Sequence, residues 1–315
     1  MTKNNYSQFG LRYWFSESDN NGFIYSVDMI RISFTIRKDR VDDLNSYLNN
    51  INRVGVDMFG PSFKSTAFKY LFRVDYGENR IMSVGVGFNG FNSDDAFLGF
   101  LEFNPNKTFT SLQFWSDVKN ILTEYCWSYD IKRFDLAIDF PYCRGCFVLH
   151  KDKRKYGLEM KSQADKTEYL GCRNNQGFLK LYNKELESKL DTECTRCELT
   201  LDFDIQKKKE NFYNAIPELY IRKPQIEINN SEFELSSTHL AFGRCLCDID
   251  NPDFYLNMIS NKSVRSKLKK YVYDNSLKVV FDYKCYEHLF NIIGMLFDDR
   301  KPFRLTNYDG GDNIN

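Results

Sequence analysis

A tyrosine with a lysine two residues away on each side stands in the segment FLKLYNKELE (178–187). In an extended chain alternate side chains share a face, so Lys180, Tyr182 and Lys184 are predicted to point the same way. Nearby positive charge draws a phenol toward phenolate, which is a nucleophile. An ordinary strand has the same composition, because aromatic residues favour strands and lysines protect sheet edges. The segment therefore predicts either a nucleophilic tyrosine or a plain strand.

Carboxylates interrupt three otherwise apolar runs that have the pattern of strands. Asp135 and Asp139 alternate onto one face of RFDLAIDF, Glu198 lies in TRCELTLDF, and Glu102 lies in FLGFLEF. Buried strands avoid acids, and oxygen ligands of this kind suit Mg²⁺ or Mn²⁺. Together with the lysine–tyrosine strand, the set favours a metal-dependent site.

Each acid also has a purely structural interpretation. Arg133 and Arg196 stand near these acids in the sequence and offer ion-pair partners. Alternatively, the acids lie on the solvated face of a half-open sheet. For any single acid this interpretation is favoured, whereas the whole set favours a functional site.

Other catalytic signatures are absent from the sequence. The three histidines, His150, His239 and His288, never occur as HxH, HxxxH or HEH. This excludes the histidine-pair metal site of a common class of nicking enzymes and disfavours a Ser-His-Asp or Cys-His hydrolase. The sequence lacks GxxxxGK[ST], and we interpret the glycines of GVGFNGF (85–91) as a strand that runs into a turn rather than as a nucleotide-binding loop.

Composition indicates a globular, cytoplasmic protein. The 315 residues are 42% hydrophobic and 27% charged, and the formal net charge is +0, which excludes a protein that coats nucleic acid by bulk positive charge. We expect no association with a membrane, because no apolar stretch is long enough to span one and the N-terminus lacks a signal-peptide core. The nine cysteines are then expected to be mostly reduced.

Two cysteine pairs, Cys143/Cys146 and Cys194/Cys197, have the CxxC spacing of zinc sites. The second pair lies in a predicted strand, where residues three apart face opposite sides. Its thiolates cannot converge without a bulge, so a structural zinc site is disfavoured.

The order of elements predicts an α+β fold with a largely antiparallel central sheet, helices packed on one face, and a smaller C-terminal helical region. Helices are predicted at 39–51, at 111–125, and within 207–220, 263–275 and 284–299. Strands are predicted at 27–36, 68–76, 80–88, 97–103, 133–140, 166–172, 177–184 and 195–203.

The chain is predicted to divide into three parts. A catalytic domain covers 1–204, with its core from about residue 24; a helical region covers 205–305; and a disordered tail covers 306–315. Four basic residues of the helical region are candidates for DNA contact, with a solvated helix face as the alternative: Arg265, Lys267, Lys269 and Lys270.

Four segments, LEFNPNK (101–107), RFDLAIDF (133–140), TEYLGCRNNQGFLKLYNKELE (167–187) and TRCELTL (195–201), occur in the order of a known family. The set resembles the replication initiators of staphylococcal-type rolling-circle plasmids, the Rep_trans family. Relaxases of some Gram-positive integrative conjugative elements belong to the same superfamily. The resemblance runs from about residue 27 to residue 205.

The resemblance implies which residues do the chemistry. Tyr182 corresponds to the DNA nucleophile of the R-x-Y-N-K motif, and Lys180 replaces its arginine. Tyr169 matches an aromatic position and is the second candidate nucleophile. Arg173 carries over from the G-x-R-D-S motif, but two asparagines replace the Asp-Ser pair.

The family's acids imply a divalent metal, Mg²⁺ or Mn²⁺, on this chain. Its expected ligands are Glu102, either Asp135 or Asp139, and Glu198. The choice between the two aspartates stays open.

The mechanism that the resemblance implies is nicking and rejoining of DNA. The tyrosine forms a 5′-phosphotyrosyl link and leaves a free 3′-hydroxyl that primes replication. Expected partners are DNA, as a double-strand origin with a single-stranded or cruciform nick site, a host helicase, and a second copy in a homodimer. Tyr169, Phe178 and Arg196 are expected to contact single-stranded DNA, and the basic C-terminal helix is expected to recognise the origin or to dimerise.

Two alternatives remain. A conjugative relaxase shares the chemistry but often carries an extra N-terminal domain, so a first core strand near residue 24 favours the initiator. A non-catalytic origin-binding protein on the same scaffold would need no metal and would be indifferent to Tyr182→Phe.

Overall fold

The structure is a computed structural model that describes residues 15–51, 68–77, 80–88, 94–108, 111–162, 165–222, 234–247, 252–274 and 276–297. The predicted tail at 306–315 lies outside these residues. Within the described ranges, no helix is both long enough and apolar enough to cross a membrane.

Strands form where apolar residues alternate along the chain. In β2, Ile30, Ile32, Phe34 and Ile36 are buried, as their spacing predicts. The strands are β1 (Ser16–Ser18), β2 (Ile24–Arg37), β3 (Phe68–Asp75), β4 (Ile81–Phe88), β5 (Ala96–Phe103), β6 (Ser128–Phe140), β7 (Phe147–Leu149), β8 (Tyr156–Met160), β9 (Lys166–Leu170), β10 (Leu179–Asn183), β11 (Thr195–Asp202), β12 (Leu219–Arg222) and β13 (Ser276–Lys278).

Helices form where apolar residues recur at helical spacing. The helix at 112–120 begins after Ser111, whose hydroxyl accepts from the N–H of Phe114, and it continues as a π-helical turn over Ile121–Tyr125. The helices are α1 (Val41–Ile51), α2 (Pro105–Thr108), α3 (Leu112–Asn120), α4 (Lys184–Ser188), α5 (Lys208–Ala215), α6 (Ser237–Cys247), α7 (Pro252–Asn257), α8 (Lys262–Asp274) and α9 (Tyr283–Leu296).

Contacts divide the chain into two compact units that are discontinuous in sequence. The first unit contains Met1–Ile138, Thr200–Phe212 and Tyr283–Asn315, and the second contains Asp139–Leu199 and Tyr213–Asp282. Strands β6 and β11 contribute residues to both units. The predicted functional division near residue 204 stays a prediction.

In the first unit the strand order is β3-β4-β5-β2-β6, and the β3–β4, β4–β5 and β5–β2 pairs are antiparallel. Phe103 of β5 packs against Phe114 of α3, with ring centroids 5.0 Å apart. Phe134 of β6 contacts Phe290 of α9, with centroids 6.1 Å apart. Glu102 and Asp135 are neighbours of Phe103 and Phe134 in sequence, so they alternate onto the other side of their strands.

The second unit contains the antiparallel run β11-β10-β9-β8 and a three-stranded antiparallel sheet, β13-β12-β7. Helices α6, α7 and α8 share a core that includes Leu246, Leu256 and Leu268. Gly243 permits close approach of α6 and α8, because a Cβ there would lie 2.7 Å from the Tyr271 ring. The predicted α+β fold with a largely antiparallel sheet is confirmed.

One predicted helix is wrong at its C-terminal end. The pattern over 207–220 predicts a continuous helix, but α5 ends at Ala215, and Leu219 and Tyr220 belong to β12. Pro217 explains the change, because proline lacks an N–H and disfavours helical geometry in the residue before it.

Candidate active site

The central tyrosine lies on β10, between β9 and β11. The register pairs Lys180 with Glu198 and Tyr182 with Arg196. Side chains alternate along each strand, so these four positions share one face. The predicted strand face therefore exists as far as Tyr182.

Lys184 does not continue that strand. β10 ends at Asn183, whose side-chain oxygen accepts from the N–H of Leu186, 3.0 Å away, and caps α4. Lys184 is thus the first residue of a helix, and the prediction that it extends the strand face is wrong. Its ammonium group still lies 5.9 Å from the Tyr182 ring centroid and forms an ion pair with Glu187.

The hydroxyl of Tyr182 has a carboxylate partner. Tyr182 is 4% exposed, and its hydroxyl donates to Glu198 Oε1 at 2.6 Å. Lys180 Nζ lies 3.8 Å from the centroid of the tyrosine ring and 3.9 Å from Glu198 Oε2. A phenol, a proton acceptor and a cation are therefore in mutual contact within the second unit.

The electrostatic expectation for this tyrosine is wrong in sign. Burial raises the pKa of Tyr182 far above 10, and the charge of Glu198 raises it further, while Arg196 acts in the opposite direction. The flanking lysines do not hold the group as phenolate, because Lys180 lies over the ring and Lys184 is paired with Glu187. The hydroxyl is therefore protonated at neutral pH and needs a base to accept its proton.

Asp139 and Arg196 form a buried ion pair. Arg196 Nε lies 2.6 Å from Asp139 Oδ1, and Arg196 Nη2 lies 2.7 Å from Asp139 Oδ2. Asp139 is 0% exposed and Arg196 is 4% exposed. This is the structural interpretation that the sequence left open for the acids, and it applies fully to Asp139.

Asp135 has a different environment, within the first unit. Its carboxylate accepts one hydrogen bond from Thr200, at 2.8 Å. Burial raises the pKa of Asp135 to about 6, and Asp28 and Glu102 add to this shift, while Thr200 and Arg133 oppose it. Asp135 is therefore a half-buried carboxyl close to two other acids.

Glu102 is partly neutralised by arginines of the first unit. It forms an ion pair with Arg31, its register partner on β2, and Arg133 Nη2 lies 3.6 Å from Glu102 Oε2.

Asp28 is a nearby acid that the sequence reasoning missed. Its Oδ1 accepts a hydrogen bond from Asn104 at 3.0 Å. The criterion that selected Asp135, an acid inside an apolar strand, also selects Asp28 in VDMIRISFTI.

Tyr169 lies beside Lys180 in the β9–β10 register. Its ring stacks on Phe178, with centroids 6.0 Å apart and an interplanar angle of 17°, and its hydroxyl donates to Glu159 at 3.0 Å. Burial and Glu159 raise the pKa of Tyr169, whereas Arg173, which is exposed in the turn after β9, lowers it.

The basic residues of α8 lie elsewhere in the second unit. Lys267 forms an ion pair with Glu234 at 3.2 Å, and Arg265 is half-buried. Lys269 and Lys270 line an open cavity together with His150, Ser266, Glu218, Tyr220 and Tyr273.

The predicted residues therefore fall into two sets. The second unit brings together Tyr182, Lys180, Lys184 and Glu198, with Tyr169 beside them; the first unit brings Glu102 close to Asp135. In the part of the chain that the structure describes, no three His, Cys, Asp or Glu side chains converge as a metal-binding group.

Sequence comparison links the chain to named relatives. A replication initiation protein of Staphylococcus aureus is 23% identical over 206 residues, which cover 63% of this chain and 62% of that protein. A second protein of that name and species is 32% identical over 91 residues, 28% of each chain. This chain thus spans less than two thirds of these relatives, and it is similar to replication initiation proteins over that part. No family model matches the chain.

One solved structure is distantly similar. It is described as a rolling circle replication initiator protein from Geobacillus stearothermophilus, with a TM-score of 0.35 and 14% sequence identity. The match covers 70% of this chain and 95% of that one. A likeness at this TM-score supports no inference about the present chain.

Proposed function

We propose that the chain is a rolling-circle replication initiator that nicks and rejoins DNA, with Tyr182 as the nucleophile. The observation that carries this proposal is the 2.6 Å hydrogen bond from the buried Tyr182 hydroxyl to Glu198. A buried phenol that donates to a carboxylate has its proton acceptor already in place. The similarity to staphylococcal replication initiation proteins supports the choice of DNA as substrate.

The proposed reaction is a transesterification. The Tyr182 oxygen attacks the phosphorus of one DNA phosphodiester, the P–O3′ bond breaks, and the 3′ oxygen leaves as a hydroxyl. The product is a 5′-phosphotyrosyl link with a free 3′ end. The reverse attack by a 3′-hydroxyl rejoins a strand and releases the tyrosine.

We assign Glu198 the role of general base rather than that of metal ligand. It accepts the hydrogen bond of the phenol, so it is placed to take the proton as the attack proceeds. Lys180 lies 3.8 Å from the ring centroid, where its charge stabilises the negative charge that develops on the phenol. Lys184 supports the same effect from a greater distance.

We propose Asp135 and Glu102 as the ligands of Mg²⁺ or Mn²⁺. Both carboxylate oxygens of Asp139 are bonded to Arg196, whereas Asp135 is close to Glu102 and lacks such a pair among its described contacts. Mg²⁺ is commonly held by one or two carboxylates together with substrate phosphate and water, so a cage of three protein ligands is not required. A metal held by these acids would polarise a DNA phosphate and offset negative charge on it.

DNA contact is proposed for exposed and half-buried residues of the second unit. Arg173 offers a phosphate contact, and the stacked rings of Tyr169 and Phe178 offer a platform for an unpaired base. For Arg196 we propose a positioning role in place of DNA contact, because its guanidinium is buried on Asp139. Origin recognition is proposed for the basic residues of α8: Arg265, Lys267, Lys269 and Lys270. A host helicase and a homodimer remain predictions.

The test is nicking of a supercoiled plasmid that carries the replicon encoding the chain, with Mg²⁺ or Mn²⁺ and with EDTA. We expect open-circle DNA and a protein–DNA adduct that survives SDS. Tyr182→Phe should lose both by at least about 1,000-fold, because no nucleophile remains. Tyr169→Phe is the matched control and should retain both.

Three other results would redirect the proposal. If Tyr169→Phe alone abolishes nicking, the reaction stands but the nucleophile is wrong. If the wild type binds the DNA but does not nick it in the presence of either metal, the chain is an origin-binding protein. Nicking only at a transfer origin would favour a conjugative relaxase.

Glu198→Gln tests the general base. The glutamine can still accept the tyrosine hydrogen bond but cannot take the proton, so we expect a roughly 100- to 10,000-fold slower single-turnover nicking rate with unchanged DNA binding. A general base also predicts that the loss shrinks as pH rises and hydroxide takes the proton. A loss that disappears instead at high Mn²⁺ concentration would assign Glu198 to the metal.

A further inference from the structure

Cys143 and Cys146 lie just after β6, and their two thiols are close together. The proposed function does not involve them. The Sγ atoms of Cys143 and Cys146 lie 3.2 Å apart, and both residues are partly exposed. The sequence shows only the CxxC spacing, which is shared by zinc sites and by redox pairs. The structure adds that the two thiols face each other.

The turn that carries the thiols is firmly anchored. A single 3-10 turn spans Arg144–Cys146, and the N–H of Cys146 donates to the carbonyl of Cys143 at 3.0 Å. Between the cysteines, Arg144 is 1% exposed; its guanidinium forms a buried ion pair with Glu168 of β9 and donates to the Phe147 carbonyl at 3.4 Å. The fold therefore holds the two sulfurs together without a bond between them.

We propose that Cys143 and Cys146 are a modification site at which a reversible intramolecular disulfide forms in the folded protein. A disulfide bond is about 2.05 Å long, so the sulfurs need to approach by only about 1 Å. Partial exposure of both residues gives an oxidant access. The proposal is independent of the nicking reaction.

A metal site explains the pair less well. Zinc in proteins is held by three or four ligands, and among the described residues no third His, Cys, Asp or Glu joins these thiols as a metal-binding group. The second CxxC pair, Cys194 and Cys197, is fully buried and supplies no further ligand. Two facing thiols without a third ligand favour the disulfide.

The oxidant class we name is a small-molecule disulfide, such as glutathione disulfide. One cysteine thiolate attacks it, forming a mixed disulfide and releasing one glutathione thiolate. The second cysteine thiolate then attacks the protein sulfur of the mixed disulfide and releases the second glutathione. Two thiols are oxidised, one disulfide is reduced, and the two protons pass to the two glutathione thiolates.

Burial and the neighbouring Cys143 raise the pKa of the Cys146 thiol to about 12. Thiolate is the reactive form, so exchange at this position is slow near neutral pH and faster in mildly alkaline buffer. The experiment therefore uses pH 8 to 8.5 and a time course of hours.

The test treats the native, reduced full chain with glutathione disulfide, alkylates the remaining thiols, and maps peptides by mass spectrometry. Trypsin cleaves after Arg144, so the disulfide joins two tryptic peptides and is read directly. We expect this linked pair, whereas the exposed Cys172 and Cys245 should carry single glutathiones. In Cys146→Ser, Cys143 should keep a glutathione because the resolving thiol is absent.

Three results would overturn the proposal. One is the absence of the linked pair in native protein when Cys172 has reacted. Another is a link that forms only in urea, which would show that the folded turn keeps the sulfurs apart. The third is a bound Zn²⁺ that blocks oxidation until EDTA removes it, which would assign the pair to a metal.

Discussion

Asp135 and Asp139 lie four residues apart on β6 and have the same pattern in the sequence, yet their surroundings are opposite. Asp139 is fully buried, and both of its oxygens are bonded to the Arg196 guanidinium. Asp135 accepts one hydrogen bond from Thr200 and is near Asp28 and Glu102. Asp139 has a bidentate countercharge, whereas Asp135 is near two other acids, Asp28 and Glu102, and one arginine, Arg133.

We propose that this difference separates an acid that stabilises the fold from an acid that binds a metal. A buried carboxylate with a bidentate arginine already has a compensating charge and does not need a cation. A half-buried carboxyl near other carboxyls has a raised pKa and gains from a cation. We therefore infer that Asp139 maintains the strand pair and that Asp135 binds the metal.

Breaking the Asp139 pair should have the largest effect on stability. Asp139→Asn leaves the Arg196 charge buried without a countercharge, so we expect the free energy of unfolding to fall by about 3–5 kcal/mol. Urea unfolding followed by circular dichroism measures this. A loss under 1 kcal/mol would show that water reaches the guanidinium and that the pair is not needed.

Asp135→Asn should act in the opposite direction and depend on pH. The folded pKa of Asp135, about 6, lies above its usual value of 3.8, so its protonated form stabilises the fold at low pH, and that stabilisation is lost as pH rises through 6. The asparagine keeps the Thr200 bond and has no charge. Without metal, the variant should gain roughly 2 kcal/mol relative to wild type between pH 4 and pH 7.5. A difference that does not change with pH would contradict this account.

Mn²⁺ should produce the smallest of the three effects. At tenfold excess over its dissociation constant, a metal that binds only the folded protein stabilises it by about 1.4 kcal/mol. Thermal unfolding at pH 7.5 should show this gain in wild type and in Asp139→Asn, each against its own metal-free baseline, but not in Asp135→Asn. The gain should shrink below pH 6 as Asp135 takes up a proton. Loss of the gain in Asp139→Asn alone would reverse our assignment of the two aspartates.

The longer strands were predictable because alternation is a local property, whereas the short strands β1, β7, β8, β12 and β13 were not predicted. The core strands at 27–36, 97–103 and 195–203 lie within two or three residues of the observed ends. Helix ends depend on single residues, such as Pro217 after α5 and the Asn183 cap before α4. Both residues can be seen in the sequence, but the apolar residues continue past them with the same spacing, so the end of the helix or strand was not recognised.

The shared strand face of Lys180 and Tyr182 was predictable, but the electrostatics around them were not. Spacing places Lys180 and Tyr182 on one face, yet it does not reveal that the lysine lies over the ring while the hydroxyl meets Glu198. The partner of each acid is likewise set by strand register, which no local pattern encodes. For this reason Asp135 and Asp139 were indistinguishable in the sequence.

The central claim, that Tyr182 is the nucleophile, is tested most directly by mapping the covalent adduct. The protein is incubated with Mn²⁺ and an oligonucleotide that contains the nick site, denatured in SDS, digested with nuclease and trypsin, and sequenced by tandem mass spectrometry. The account predicts a nucleotide on the tyrosine of the peptide LYNK (181–184). A nucleotide on Tyr169, in the peptide TEYLGCR (167–173), or an adduct on neither peptide, would contradict it.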